Sequence, residues 1–318
     1  MDNLTHSLVG ALIGQAGLKR RTGLAMPALV IGANLPDVDA ACFFWLDGVE
    51  HLAFRRGITH GPPALVLLPL ALASLLWVFD RWQARRGKRP EGRLPVRFGW
   101  LFVLAFVGCL THPALDWLNV YGIRLLEPFS SRWFYGDVLF IIDVWLWLLL
   151  GAATWFSLRR EKRGGDWRRP ARIALSVALV YIGVNAGITH SHERMTDMNA
   201  VGPTIASPLP LTFWQREIII PVENGRYRIV PEYSGPTEDR VSTDVLGDPA
   251  LAYYCDVDAA AAADSQVRAF LFWSRAPFLE RGEGGTIFIR DARYHDPRAR
   301  DRFSVVLPDL RCEELPSP

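Results

Sequence analysis

The feature that most constrains this chain is an 18-residue stretch without charge, residues 62–79, PPALVLLPLALASLLWVF. As a helix it extends about 27 Å at about 1.5 Å per residue, close to the hydrocarbon thickness of a bilayer. A helix buried in a soluble core needs only about 10–14 apolar residues, so this one is expected to cross a membrane. Three further runs follow: 98–118, uncharged until Asp116; 138–158, carrying only Asp143; and the shorter 173–189, IALSVALVYIGVNAGIT. Upstream, Leu4–Leu18 and Leu24–Leu35 read as a helical hairpin turning at Lys19-Arg20-Arg21, with Gly10, Gly14 and Gly17 offering a small-residue face for close packing. The expected fold is an all-α integral membrane bundle of five to six apolar helical segments. A small C-terminal β-rich or α+β soluble domain follows it.

Charge orients the bundle. Residues 81–97 hold seven Arg and Lys against Glu91 alone, and residues 159–172 hold another seven, so both loops are expected on the cytoplasmic side. The segment 119–137 then faces outward, as does everything after Thr189. No basic region precedes the first apolar stretch, so no cleaved signal peptide is expected. Residues 1–189 carry 21 basic and 13 acidic side chains, and residues 190–318 carry 14 and 20. The formal net charge is only +2, which argues against a polyanion binder, and no nucleic-acid partner is expected. The division along the chain is a membrane domain at 1–189, a linker at 190–207 and an extracytoplasmic domain at 208–318.

This topology collects the unusual polar residues at one leaflet boundary. His6 opens the hairpin; Asp37 and Asp39, in NLPDVD, close it; His60, in RRGITHG, precedes the first long helix; His112 and Asp116, in THPALD, end the second. His112 and Asp116 are four apart and stack on one helical face. Ionisable side chains at membrane depth are costly unless they pair or bind an ion. Three imidazoles and three carboxylates suit zinc, manganese or iron, and the set has room for one to three ions. The competing readings are a turn or helix cap for Asp37 and an interfacial histidine for His6.

The segments MDNLTHSLVGALIG, ANLPDVD, RRGITHG, THPALDWLNVYGIRLLEPFS and RWFYGDVLFIID, in order over residues 1–150, resemble the YdjM-type family of membrane-bound metal-dependent hydrolases. That family is in turn similar, distantly, to zinc-dependent phospholipases C and P1-type nucleases. The resemblance implies His6, Asp37, Asp39, His60, His112 and Asp116 as metal ligands in a bacterial inner membrane. It also implies metal-assisted cleavage of a phosphoester, with a lipid or lipid-linked phosphate as substrate. The N-terminal amine ligand of those enzymes has no evident counterpart at Met1.

In that chemistry Asp37 or Asp39 serves as general base. Arg56 and Arg124 clamp phosphate, or alternatively snorkel toward headgroups. Asn119 and Asp137 line the pocket, with Tyr121, Trp133 and Tyr135 reading as an interfacial belt. Asp143 orients a ligating histidine or pairs with an arginine. GITH recurs at 187–190, which makes His190 and His192 further candidates, although a polar juxtamembrane linker also explains them. Two rival functions use the same residues: a metal-ion transporter or permease, and a non-catalytic scaffold with a structural metal.

In the tail, Phe213–Val222 and Tyr227–Tyr233 flank Glu223-Asn224-Gly225 as a hairpin. Val267–Trp273, Thr286–Arg290 and Phe303–Leu307 read as strands, and Asp248–Asp264 as helix. Cys255 and Cys312 are candidates for a disulfide in an oxidising compartment. No nucleophile elbow, P-loop or zinc spacing occurs there.

Overall fold

The bent pair of helices at the N-terminus decides where the polar residues go. In the computed structural model, which describes residues 1–194, 200–231 and 244–307, helix α1 (Asn3–Gln15) starts at Asp2. The Asp2 carboxylate accepts from the amides of Leu4 and Thr5, an N-cap that satisfies two of the helix's open donors. Helix α2 (Ala25–Gly32) returns, and the chain bends by 52° into a 3₁₀ stretch at Leu35–Phe44. Pro36 lacks an N–H and disfavours helical geometry at Leu35, so the helix stops before it. The irregular stretch carries Asp37 and Asp39.

Short helix α3 (Glu50–Phe54) leads to helix α4 (Pro62–Arg85), which begins with prolines at the positions where a missing N–H costs nothing. Helix α5 (Phe98–Trp117) follows, then α6 (Val144–Lys162) and α7 (Arg168–Glu193). Among the described residues, α4, α5 and α7 are long and apolar enough to cross a membrane, and the bent pair makes a fourth if counted as one span. The expected third span, 138–158, starts late. Asp143 caps α6 by accepting from Trp145 and Leu146, so residues 138–142 stay outside the helix. Every 18-residue stretch of α6 then includes three or more charged residues from Arg159-Arg160-Glu161-Lys162, too many for an apolar span.

The chain divides into two units. The first comprises Met1–Asp39 and Arg56–Ala186; the second comprises Ala40–Arg55 and Gly187–Pro318. The linear division of the sequence gives no sign of the excursion at 40–55. In the first unit, Leu12, Leu146, Leu150 and Ala174 form one core, and Leu29, Leu72, Leu101 and Leu104 form another. Helix α5 is the more enclosed span, with 44 % of its apolar window buried against 17 % for α4, and so it can carry buried polar side chains. The glycine face closes as expected: a Cβ at Gly10 of α1 or at Gly108 of α5 would lie 2.8 or 2.5 Å from the Leu29 carbonyl. Helix α2 therefore touches backbone on both sides. Gly17 instead follows the end of α1 with φ +133°.

In the second unit, β1 (Ile205–Pro208), β2 (Arg216–Val222), β3 (Arg226–Pro231) and β4 (Asp244–Leu246) form an antiparallel sheet in sequence order. Val222 pairs with Arg226 across a turn where Asn224 and Gly225 both have positive φ, the hairpin expected from their residue types. Tyr233 lies outside the described residues. The predicted helix 248–264 is two, α8 (Pro249–Tyr254) and α9 (Val257–Ala263). Val267–Trp273, expected as a strand, is part of helix α10 (Ser265–Trp273), because the Asp264 carboxylate caps the amides of Gln266 and Val267. Strands β5 (Pro277–Arg281), β6 (Ile287–Asp291) and β7 (Ser304–Val306) form a second antiparallel sheet. Gln266 accepts from the Val49 amide and Ser265 donates to Glu50, which ties α10 to the excursion. Cys42 and Cys109 are buried thiols; Cys255 is disulfide-bonded, and Cys312 lies outside the described residues.

Candidate metal centre

Four side chains from three stretches of the first unit meet where α4 begins and α5 ends. Asp37, His60, His112 and Asp116 each offer one ligand atom, and the four atoms lie within 4.8 Å of one another. His60, His112 and Asp116 are buried, and the Asp37 side chain is 13 % exposed. Asp116 Oδ2 is 3.5 Å from His112 Nε2 and 3.7 Å from His60 Nε2, and His112 Nε2 is 3.7 Å from Asp37 Oδ1. Ligands at about 2.0–2.1 Å from a tetrahedral ion stand about 3.4 Å apart, so these separations fit one ion with little adjustment.

The histidine tautomers are set by their other nitrogens. Helix α2 ends at Gly32, and its terminal carbonyls lack intrahelical partners. One of them, on Ala33, takes the His112 Nδ1–H at 2.7 Å, leaving Nε2 as the lone pair. Thr59 Oγ1 donates to Asp39 Oδ2 at 3.2 Å and lies 2.9 Å from His60 Nδ1, so the imidazole completes the chain as a donor through Nδ1. His60 Nε2 is thereby also a lone pair. Burial holds the His60 pKa well below its ordinary value, so the ring is neutral. His60 Nε2 and His112 Nε2 are buried without a hydrogen bond, a cost that a bound cation removes, while Asp116 Oδ2 is already met by the Arg56 guanidinium. The donor set therefore fits a divalent metal.

Two of the six expected ligands lie at the edge of this group. His6 stacks on His112 with ring centroids 3.8 Å apart, and its Nε2 is 3.3 Å from Asp116 Oδ1. Asp39 Oδ2 accepts from the Arg56 amide at 2.7 Å and from Thr59, so this carboxylate fixes the loop and the His60 ring. Thr59 and the Ala33 carbonyl were not singled out by the sequence. The only hints were the threonine beside His60 and the helix end ahead of Pro36.

Met1 also belongs here: its nitrogen contacts Asp116 Oδ1, although the sequence suggested no such role.

The arginines expected to clamp phosphate are engaged. Arg56, held at φ +55°, places Nε 3.0 Å from Asp116 Oδ2 and donates from Nη1 to Asn119 Oδ1 and the Gly122 carbonyl. Arg124 pairs with Glu127 at 3.2 Å and lies over the Trp133 ring. Asn119 thus supports Arg56 and also accepts from the Tyr121 amide. Asp137 is buried at φ +52°. Asp143 serves α6 and accepts from the Tyr181 hydroxyl at 2.9 Å, which corrects the expected link to a ligating histidine. His190 and His192 end α7 in the second unit, where His192 Nδ1 bonds the Ile188 carbonyl.

The family model described as YdjM inner membrane protein matches residues 1–191. The chain is also similar to the "Uncharacterized protein YfhP" of Bacillus subtilis (strain 168), at 25 % identity over 193 residues. That alignment covers 58 % of this chain and 52 % of the relative, so it spans about half of the relative's length. No solved structure matches the chain significantly.

Proposed function

The chain belongs to the YdjM inner membrane protein family, and from that premise we propose that it is a membrane-bound, metal-dependent hydrolase that cleaves a phosphoester of a lipid or lipid-linked substrate. One observation carries this reading: Asp37, His60, His112 and Asp116 gather as a buried ligand set with their lone pairs turned toward one another. These four residues would hold a divalent ion of the zinc or manganese type, which would supply a water acidified toward neutrality and a counter-charge for a phosphoryl oxygen.

The chain's own residues do the rest. Ala33 and the Asp39–Thr59 pair orient the two imidazoles, and Arg56 fixes the Asp116 carboxylate. Asp37, the most open of the four, takes the proton of the attacking water. Depth supports the substrate class. His60 directly precedes α4, and Asp116 is one residue from the end of α5, so the site lies at the ends of two spans, where phospholipid phosphoesters reside. The basic loops 81–97 and 159–172 support an orientation with this end of the spans on the extracytoplasmic side.

The test is turnover of bis-p-nitrophenyl phosphate and a phospholipid panel by the purified chain in detergent. Activity is expected to vanish on chelation and return with Zn²⁺ or Mn²⁺. Metal-loaded protein that hydrolyses none of these esters would overturn the hydrolase reading in favour of transport or a structural metal.

A further inference from the structure

We infer that a groove between α6 and α7 is a binding site for an anionic phospholipid, with an acyl chain in the groove and the headgroup phosphate on Arg160 and Arg169. The cavity holds about 410 Å³. Its floor is Ala153 and Ala174, buried residues whose small side chains leave the space, and Phe156 and Ile173 form half-exposed walls. From Leu149 to Arg160 the apolar lining extends about 16 Å along α6, at about 1.5 Å per residue. It then ends abruptly in charge.

Arg160 stands in the last turn of α6 and Arg169 in the first turn of α7. Neither has an ion-pair partner among the described residues, whereas nearby Lys19 is matched by Glu161. A second hollow of about 340 Å³ is lined by Arg20, Arg21, Arg168 and Arg172, and Arg168 precedes Arg169 in the first turn of α7, which adds to the positive field. An apolar slot closed by unmatched guanidinium groups complements a molecule with one long apolar part and an anionic head. A free phosphate would leave the slot unused, and an uncharged lipid would leave the arginines unmatched. The site shares no residue with the metal cluster, so it stands or falls independently of the hydrolase reading.

Native mass spectrometry of the full chain, titrated with phosphatidylglycerol and phosphatidylcholine of equal chain length, tests this. Wild type is expected to retain phosphatidylglycerol preferentially. Arg160→Gln/Arg169→Gln is expected to weaken that retention about 30-fold, near fivefold for each arginine beside an anionic headgroup. Ala152→Trp, at an exposed position lining the groove, is expected to displace the lipid with both arginines present. Arg85→Gln/Arg86→Gln, which removes the same charge from the other basic loop, is expected to change nothing. Equal retention of the two lipids, or equal loss in both arginine pairs, would overturn the site.

Discussion

Asp116→Asn is expected to strip the protein of metal and to destabilise it by about 3–5 kcal/mol, the cost of leaving a buried charge without its partner. Asp116 is the point on which the site converges. Its carboxylate, 1 % exposed, faces His6, His60, His112, Arg56 and the Met1 nitrogen. Asparagine keeps the shape but removes the charge that balances Arg56 and the ligand oxygen a hard cation needs. Metal content and thermal unfolding in detergent read the two effects separately. A variant that kept both would mean that Asp116 does no more than fill space.

Asp37→Asn is expected to behave differently. Asp37 is the member of the four with the most exposure, and His60, His112 and Asp116 remain to hold an ion without it. Hydrolysis is therefore expected to fall by about 10²–10⁴-fold, the range for loss of a general base, while metal content falls far less. Parallel loss of metal and activity would make Asp37 a ligand only, and unchanged activity would remove it from the chemistry.

How far the sequence foretold this arrangement depended on the range of the forces involved. The stretches 62–79 and 98–118 became α4 and α5 because an uncharged run of that length has one good solution in a bilayer. The i, i+4 spacing of His112 and Asp116 placed them together, and the NLPDVD motif sat at a break that Pro36 imposes locally. What stayed hidden was decided by contacts between distant residues. Asp143 read as a candidate partner for a ligand, and it serves as an N-cap with Tyr181 as a further partner. Val267–Trp273 has the composition of a strand, yet Asp264 supplies the cap that starts a helix there. Arg56 looked like a free phosphate clamp, and only the fold brings Asp116 and Asn119 to it. The Ala33 carbonyl was beyond any side-chain motif, because a backbone acceptor leaves no mark in the sequence beyond the helix end that exposes it.

Whether these side chains hold a metal is decided by elemental analysis of the purified wild type beside a His60→Ala/His112→Ala variant. At least one zinc or manganese per chain is expected in the wild type and almost none in the variant, with both proteins folded by circular dichroism. Equal, substoichiometric metal in the two proteins would mean that these side chains hold no metal.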